Sequence, residues 1–270
     1  MKLAYVYGTE ETVAPMLGFQ GEAQTIFPFL KENGYAAVEP FLRDPSLINI
    51  NAFETMVNRY GMEVACVGTG PVVSDDKLTF TNDKSDIRLA AVQRTKDIID
   101  FASLFGSPVN IGKLRGDVDE SQPEQSWKWM KECFLDVCEH ADKQGINILL
   151  EPQNKNNINT INTTKEALAF LEEMNISNLF LNLDVYHMSF EDESILAGFI
   201  AAKHKLLHIH FADSNRGAPG QGELDFVTIM QTLKSIQYDH YISIEVSSEK
   251  DRHEEARRAA VYLSSITKLS

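Results

Sequence analysis

The sequence predicts one (β/α)₈ barrel domain over residues 1–270, and three observations support this fold class. Eight short apolar segments are each followed by a longer stretch with helical periodicity. Eight such units in about 250 residues match the usual size of this fold. No linker, repeat or low-complexity segment divides the chain. A doubly wound open sheet is the runner-up. The predicted strands are 2–8, 35–40, 63–68, 108–112, 146–152, 179–184, 205–213 and 241–246.

Helical patterns lie between these strands. After the third strand, one helix face is formed by Ile87, Ala91, Ile98, Ala102 and Phe105. Gly106 is expected to cap the end of that helix. The run from Thr163 to Glu166 is a capping-box pattern, which predicts a helix start after the fifth strand. The asparagine-rich stretch 153–162 directly follows a strand, where barrels carry functional loops.

The composition and the charge of the chain indicate where the protein is expected to be located and which classes of partner are disfavoured. The formal net charge of −14 disfavours nucleic-acid binding, which depends on basic phosphate contacts. No apolar run approaches the roughly 20 residues of a membrane helix, and the first ten residues lack a signal-peptide pattern. We therefore expect a cytoplasmic protein with no nucleic-acid or membrane partner. Cys66, Cys133 and Cys138 lack metal-ligand spacing, so buried free thiols are expected.

Metal-binding side chains stand at the ends of four consecutive predicted strands: Glu151, Asp184, His210 and Glu245. In a barrel these ends meet at one mouth, where active sites form. A single acid at a strand end is often a helix cap or an ion-pair partner. Four such residues would instead crowd their charges, and a divalent cation would relieve that repulsion. The oxygen-rich set suits Mn²⁺, Mg²⁺ or Co²⁺ better than a structural zinc.

A second layer is predicted beneath these ligands. Strand alternation puts Leu149, Asn182, His208 and Ser243 two residues before the four ligands, on the same face. Three of these residues are polar, as expected of groups that orient metal ligands. His208 is therefore predicted to orient a ligand. The alternative is a core histidine that a neighbouring backbone group satisfies.

Several segments resemble those of the sugar isomerase/epimerase family with a xylose-isomerase-like barrel, in particular D-tagatose and D-psicose 3-epimerases. The four ligand-bearing segments are LLEPQN (149–154), LNLDVYHM (181–188), HIHFADSNRGAPGQGELDF (208–226) and ISIEV (242–246). The upstream segments 68–88 and 111–116 also resemble this family. The resemblance extends over nearly the whole chain.

By this resemblance the four strand-end residues bind one divalent metal, with Mn²⁺ expected first and Mg²⁺ or Co²⁺ as alternatives. Glu151 and Glu245 would also act as the acid/base pair. His187 and Arg216 would hold oxygens of a sugar substrate. One position departs from the pattern: Asn157 stands where these epimerases carry a substrate-contacting glutamate, which leaves the sugar open. The family is also expected to form homodimers or homotetramers.

The chemistry of these parts leaves more than one reaction open. Two carboxylates on opposite faces of a carbon beside a ketose carbonyl can invert it, through an enediolate that a metal stabilises. A single base would instead interconvert aldose and ketose, so hydroxypyruvate or aldose–ketose isomerase is the alternative. Phosphorylation of the substrate also stays open.

Two non-isomerase classes are less favoured. An endonuclease IV-like repair enzyme shares the Asp-x-x-His pattern of Asp184 and His187. It needs further histidine ligands from the first half of its barrel, and this chain has no histidine before His140. A catalytically idle sugar-binding barrel would be expected to lose one of the two glutamates.

Two further residues and one loop are weaker candidates. Glu39 and Arg115 are predicted to line the pocket, with ion pairing at the barrel rim as the alternative. A glycine-rich loop follows Arg216, and its glycines are expected to shape the loop rather than to cradle a phosphate.

Overall fold

A closed barrel of parallel strands forms the centre of the molecule, as the sequence predicts. The computed structural model describes residues 1–247 and 251–269. Its strands pair in parallel round the barrel, and β1 pairs with both β10 and β3, which closes the sheet. The strand segments are β1 Lys2–Gly8, β2 Phe19–Gln20, β3 Ala37–Phe41, β4 Glu63–Val64, β5 Val67–Gly68, β6 Val109–Ile111, β7 Ile148–Leu150, β8 Leu179–Asp184, β9 Leu206–Phe211 and β10 Tyr241–Ile244.

The strand boundaries differ from the prediction at several ends. The predicted strand 63–68 is split into β4 and β5, because its pairing shifts from β3 alone to β3 and β6 together. The predicted fifth and eighth strands end earlier, so Glu151 and Glu245 lie one residue beyond β7 and β10. Their backbone N–H groups still bond to carbonyls of neighbouring strands, at 3.1 Å in both cases. The barrel therefore holds both residues firmly at its mouth.

Helices cover the outside of this barrel. Their bounds are α1 Ala23–Glu32, α2 Ile50–Arg59, α3 Gly70–Ser74, α4 Ser85–Ser103, α5 Pro123–Lys143, α6 Thr164–Met174, α7 Val185–Glu191, α8 Ile195–Ala202, α9 Phe226–Ser235 and α10 Arg252–Leu269. Ala91, Ile98 and Ala102 of the predicted helix face are buried. The capping box at Thr163 and Glu166 is present with both of its hydrogen bonds. Within the described ranges, none of the helices combines the length and apolar character that crossing a membrane requires.

The barrel interior changes from apolar to polar towards its mouth. Near the N-terminal ends of the strands, Ala4, Ala37 and Ala65 form a small apolar cluster. Nearer the mouth the interior is polar, with Glu39, Asn182, His208 and Ser243 fully buried. Buried polar groups of this kind require hydrogen-bond partners inside the protein.

Candidate metal centre and substrate cleft

The four predicted strand-end residues converge at the barrel mouth. Glu151, Asp184, His210 and Glu245 each offer one ligand atom, and these atoms all lie within 4.8 Å of one another. All four side chains are buried. Register contributes to this convergence, since Asp184 on β8 pairs directly with His210 on β9. The arrangement brings three carboxylates and one imidazole together in a volume that one ion could span.

His210 has its two ring nitrogens directed to different partners. Nδ1 lies 3.3 Å from a carboxylate oxygen of Glu151 and 3.3 Å from one of Glu245. Nε2 lies 3.0 and 3.1 Å from the two carboxylate oxygens of Glu39. A ligating histidine typically has its second nitrogen bonded to such a carboxylate, which fixes the ring and its tautomer. The geometry leaves Nδ1 as the nitrogen that faces the cluster.

Glu39 was predicted to line the pocket, but it lies inside the barrel and does not line the cleft. Its carboxylate is fully buried, where it contacts both His208 and His210 instead of the cleft. Burial alone would raise the pKa of Glu39, but the two histidines hold that pKa well below its usual value. The signal for this role was present in the sequence, because Glu39 is an acid inside an apolar strand.

His208 lies beneath the cluster and reaches it through Glu39. Its Nε2 is 2.9 Å from a Glu39 oxygen and 3.0 Å from Ser243 Oγ. Its Nδ1 is buried without a hydrogen bond to any described residue. Both partners of Nε2 are side chains. The alternative, in which a neighbouring backbone group forms the hydrogen bond to His208, therefore does not apply to Nε2.

Arg216 enters the same cluster from the loop after β9. Its guanidinium donates to Asp184 Oδ2 at 2.5 Å and to Glu245 Oε2. Arg216 also has a positive φ of 57°, a backbone conformation unusual for a residue with a side chain. Arg216 also lines the cleft, and the prediction that it holds substrate oxygens stays a prediction. Three converging carboxylates therefore attract a cation at this position.

The donor set fits a divalent cation. Carboxylate oxygens and one imidazole nitrogen are the ligands that Mn²⁺ and similar ions accept. Glu151 Oε1 is buried and lacks a hydrogen bond of normal geometry to any described residue. An unpaired buried carboxylate oxygen is costly unless a cation or donor meets it. Glu151, Asp184, His210 and Glu245 are thus the residues that could hold such an ion.

The other oxygen of Glu151 is held by two amides that the sequence analysis missed. Oε2 accepts hydrogen bonds from Asn110 Nδ2 at 3.0 Å and from Gln153 Nε2 at 2.8 Å. Burial alone would raise the pKa of Glu151, but the neighbouring His210 and His187 and the hydrogen bond from Gln153 lower that pKa to about 2. A Cβ at Gly112 would lie 2.6 Å from Gln153 Nε2 and 2.8 Å from Glu151 Oε2, so a side chain there would displace these two groups. Asn110, a polar residue within an apolar strand, was the available signal.

The prediction that Arg115 lines the pocket is also wrong, because Arg115 lies under the cleft. The side chain is fully buried. Its guanidinium donates to four backbone carbonyls, those of Gly112, Glu151, Thr160 and Ile161. Burial lowers the pKa of Arg115 to about 10. Arg115 forms neither the predicted pocket contact nor the alternative rim ion pair, and instead ties the loop after β6 to the loop after β7.

A cleft of about 260 Å³ opens above the cluster. This volume is near the lower end for small-molecule sites, roughly 300–1,000 Å³. Its lining residues are Leu17, Phe41, Thr69, Gly70, Asn110, Gly112, Lys113, Glu151, Gln153, Asn157, His187, Arg216 and Glu245. Asn157 is exposed at the cleft, with its amide 3.4 Å from Gln153 Oε1. His187 is buried, with Nδ1 2.9 Å from Asn154 Nδ2 and Nε2 3.6 Å from Asp184 Oδ2.

The glycine-rich loop after Arg216 folds around a side chain of its own. The Asp213 carboxylate accepts hydrogen bonds from the backbone N–H groups of Ser214, Gly220 and Leu224. A Cβ at Gly222 would lie 2.4 Å from Asp213 Oδ1. Because a carboxylate already uses these N–H groups, they are not directed at a phosphate. The glycines therefore shape the loop, as expected.

The three cysteines are buried free thiols, as predicted. They take no part in the cluster at the barrel mouth, whose donors are oxygen and nitrogen atoms.

Comparison with known proteins identifies the family. A family model described as xylose isomerase-like TIM barrel matches residues 27–266. A ketose 3-epimerase from Arthrobacter globiformis is 38% identical over 212 residues, covering 77% of this chain and 72% of that protein. An L-ribulose 3-epimerase from Methylomonas sp. (strain DH-1) is 29% identical over 228 residues, covering 80% and 76% respectively.

The fold agrees with that relationship. The crystal structure of a D-allulose 3-epimerase from Methylomonas sp., in complex with D-allulose, matches with a TM-score of 0.81 at 23% identity. The match covers 98% of this chain and 96% of that one. This chain therefore belongs to the xylose isomerase-like TIM barrel family, alongside ketose 3-epimerases, and is an isomerase-class enzyme.

Proposed function

We propose that this chain is a divalent-metal-dependent ketose 3-epimerase in which Glu151 and Glu245 are the acid/base pair. The observation that carries this proposal is the placement of the two carboxylates. They follow β7 and β10, and between these strands lie β8 and β9, which supply Asp184 and His210. The two glutamates therefore approach the cluster from opposite sides and both reach the cleft. This placement is what inversion at one carbon requires.

In this proposal Glu151, Asp184, His210 and Glu245 hold one divalent ion, Mn²⁺ first and Mg²⁺ or Co²⁺ as alternatives. Such an ion would stabilise the negative charge that develops on the C2 and C3 oxygens of the ketose when the C3 proton is removed. It would also compete with Arg216 for Asp184 and Glu245. The Arg216 guanidinium would then be free to bind substrate oxygens, together with His187 and, at the cleft edge, Asn157.

The proton transfers belong to the two glutamates. One ionised carboxylate removes the proton from C3 of the ketose, and the other, in its protonated form, returns a proton to the opposite face. The roles exchange for the reverse reaction. Asn110 and Gln153 hold Glu151 Oε2, which leaves Oε1 as the Glu151 oxygen without such donors. The Glu245 carboxylate is held by Arg216 and lies near His210.

The relatives support the same reaction class. The Arthrobacter globiformis protein is a ketose 3-epimerase, and the Methylomonas sp. protein is an L-ribulose 3-epimerase. Hydroxypyruvate or aldose–ketose isomerisation would use only one glutamate as base, and no observation favours it. An endonuclease IV-like activity is disfavoured by the net charge of −14.

The experiment that tests this proposal follows the substrate carbon directly. The Mn²⁺-loaded protein is incubated in D₂O with a panel of ketoses, ketose phosphates and hydroxypyruvate, and products are followed by NMR. A C3 epimer that carries deuterium at C3 is the expected product. An aldose product with no C3 epimer would indicate the isomerase alternative. Cytoplasmic location and a homodimer or homotetramer stay predictions, which fractionation and analytical ultracentrifugation would test.

A further inference from the structure

Lys113 is an exposed cation in an otherwise buried segment. Every other residue of the run 109–116 is buried, and Lys113 alone in that run is exposed. Lys113 is one of the residues that line the cleft above the carboxylate cluster. None of the ion pairs found among the described residues includes Lys113. The cleft lining therefore includes a lysine that forms no ion pair with any described residue.

The backbone of Lys113 is held at a defined place relative to the cluster. Its carbonyl accepts a hydrogen bond from Gly116 N at 2.9 Å. Two residues along, the buried Arg115 guanidinium bonds to the carbonyls of Gly112 and Glu151, each at 2.8 Å. These bonds connect the turn that carries Lys113 to the residue proposed as acid/base. Lys113 is thus presented to the cleft by a fixed turn.

The other groups of the cleft lining leave Lys113 without an ion-pair partner among the described residues. Arg216, the other basic side chain of the lining, contacts Asp184 and Glu245 in this structure, and in the proposed function it binds substrate oxygens at the metal cluster. Asn157 and Gln153, which also line the cleft, are uncharged. Lys113 therefore carries a positive charge that none of the described carboxylates pairs with, and an anionic group of the substrate can take that place.

We propose that Lys113 binds an anionic group of the substrate, a phosphate ester or a carboxylate, at the end of the ketose away from the reacting carbons. This inference rests on the proposed 3-epimerase function and names its substrate class. A lysine ammonium is a suitable partner for either anion. The glycine-rich loop is not favoured as an alternative site, because the backbone N–H groups of Ser214, Gly220 and Leu224 donate to the Asp213 carboxylate and that of Gly217 donates to Asn215 Oδ1.

The test compares neutral and anionic forms of the same ketose. The Mn²⁺-loaded enzyme is assayed with D-fructose, D-fructose 6-phosphate and D-fructuronate, and with D-tagatose and its two corresponding anions. The wild-type kcat/KM is expected to be at least about 10-fold higher for one anionic form than for the neutral sugar, as one hydrogen bond to a charged group provides. The phosphate and carboxylate arms show which anion is recognised.

Variants then assign the preference to Lys113. Lys113→Met should lower the anionic-to-neutral ratio of kcat/KM about 10-fold, and Lys113→Arg should retain most of it. Lys203→Met is the matched control, because Lys203 is exposed at the end of α8, outside the cleft lining. The anionic-to-neutral ratio of kcat/KM for Lys203→Met should equal that of the wild type.

A binding measurement separates this inference from the proposed function. Calorimetry with D-glucitol 6-phosphate, D-gluconate and D-glucitol, none of which is a ketose, needs no turnover. Binding of one anion about 10-fold tighter than the polyol, lost in Lys113→Met, would support the inference even if no ketose reacts. Epimerisation of neutral ketoses with no Lys113-dependent anion preference would overturn it and leave the proposed function standing. Absence of proton exchange from every ketose would contradict the proposed function itself.

Discussion

Glu39 and His210 form a fully buried carboxylate–imidazole contact, with both Glu39 oxygens 3.0–3.1 Å from Nε2 of the ring. The other nitrogen of His210, Nδ1, therefore faces Glu151 and Glu245. This contact connects the polar interior of the barrel to the candidate metal centre, and it explains why a strand of a barrel carries an acid at an inward position.

The Glu39→Gln variant tests whether this contact positions the ligand. The amide keeps the size of the side chain but removes the charge that orients His210. We expect Mn²⁺ affinity, measured by calorimetry, to fall about 10–100-fold, the usual cost of losing such a partner. Glu32→Gln is the matched control, because Glu32 is exposed at the end of α1. Equal Mn²⁺ affinity in both variants would show that Glu39 does not position His210.

His208→Ala tests the next residue along the same chain of contacts. Removal of the ring takes one of two imidazole partners from Glu39 and leaves Ser243 without its contact. We expect Mn²⁺ affinity to fall by roughly 10–100-fold. Unchanged affinity together with a lower melting temperature would mean that His208 is only a core residue.

The number of bound ions tests the centre as a whole. The four ligand atoms lie within 4.8 Å of one another, which is suitable for one ion. Metal analysis of protein dialysed and reconstituted with Mn²⁺ should give about one tightly bound ion per chain, as a mononuclear site requires. A ratio near three, with zinc, would favour a repair-enzyme type of site.

Replacement of Arg115 is expected to lower the free energy of unfolding. Arg115→Met leaves carbonyls that accepted buried hydrogen bonds without a donor. We expect the free energy of unfolding in urea to fall by at least about 3 kcal/mol, since each unsatisfied buried group costs about 1–3 kcal/mol. Arg59→Met, on the exposed surface of α2, should change it by no more than about 0.5 kcal/mol. Similar stability of the two variants would show that Arg115 does not tie the loops together.

The barrel and the convergence of the four strand-end residues could be predicted from the sequence, because both follow from local periodicity. Glu151, Asp184, His210 and Glu245 end successive strands, and parallel strands bring such ends to one mouth. The same reasoning identified the polar layer of Asn182, His208 and Ser243, which is buried as predicted.

What could not be predicted depends on side-chain direction and on loop paths. The sequence placed Glu39 near the end of a predicted strand and Arg115 in a loop, which suggested the pocket, yet both side chains are fully buried. Their partners are distant in sequence: Glu39 contacts His208, and Arg115 contacts Ile161. Periodicity carries no information about such pairings. Lys113 was missed because one lysine in a loop resembles any surface lysine until the cleft beside it is known.

The central claim is that Glu151 and Glu245 transfer protons at opposite faces of one carbon. It is tested most directly by Glu151→Gln and Glu245→Gln, whose metal content is verified and whose reactions are followed by NMR in D₂O. Glutamine keeps an oxygen for coordination but is not a useful base, so turnover should fall at least about 10²–10⁴-fold. One variant should exchange deuterium into unreacted substrate without inverting it, and the other should do so only from the product side. Normal turnover by either metal-loaded variant would contradict the two-carboxylate mechanism.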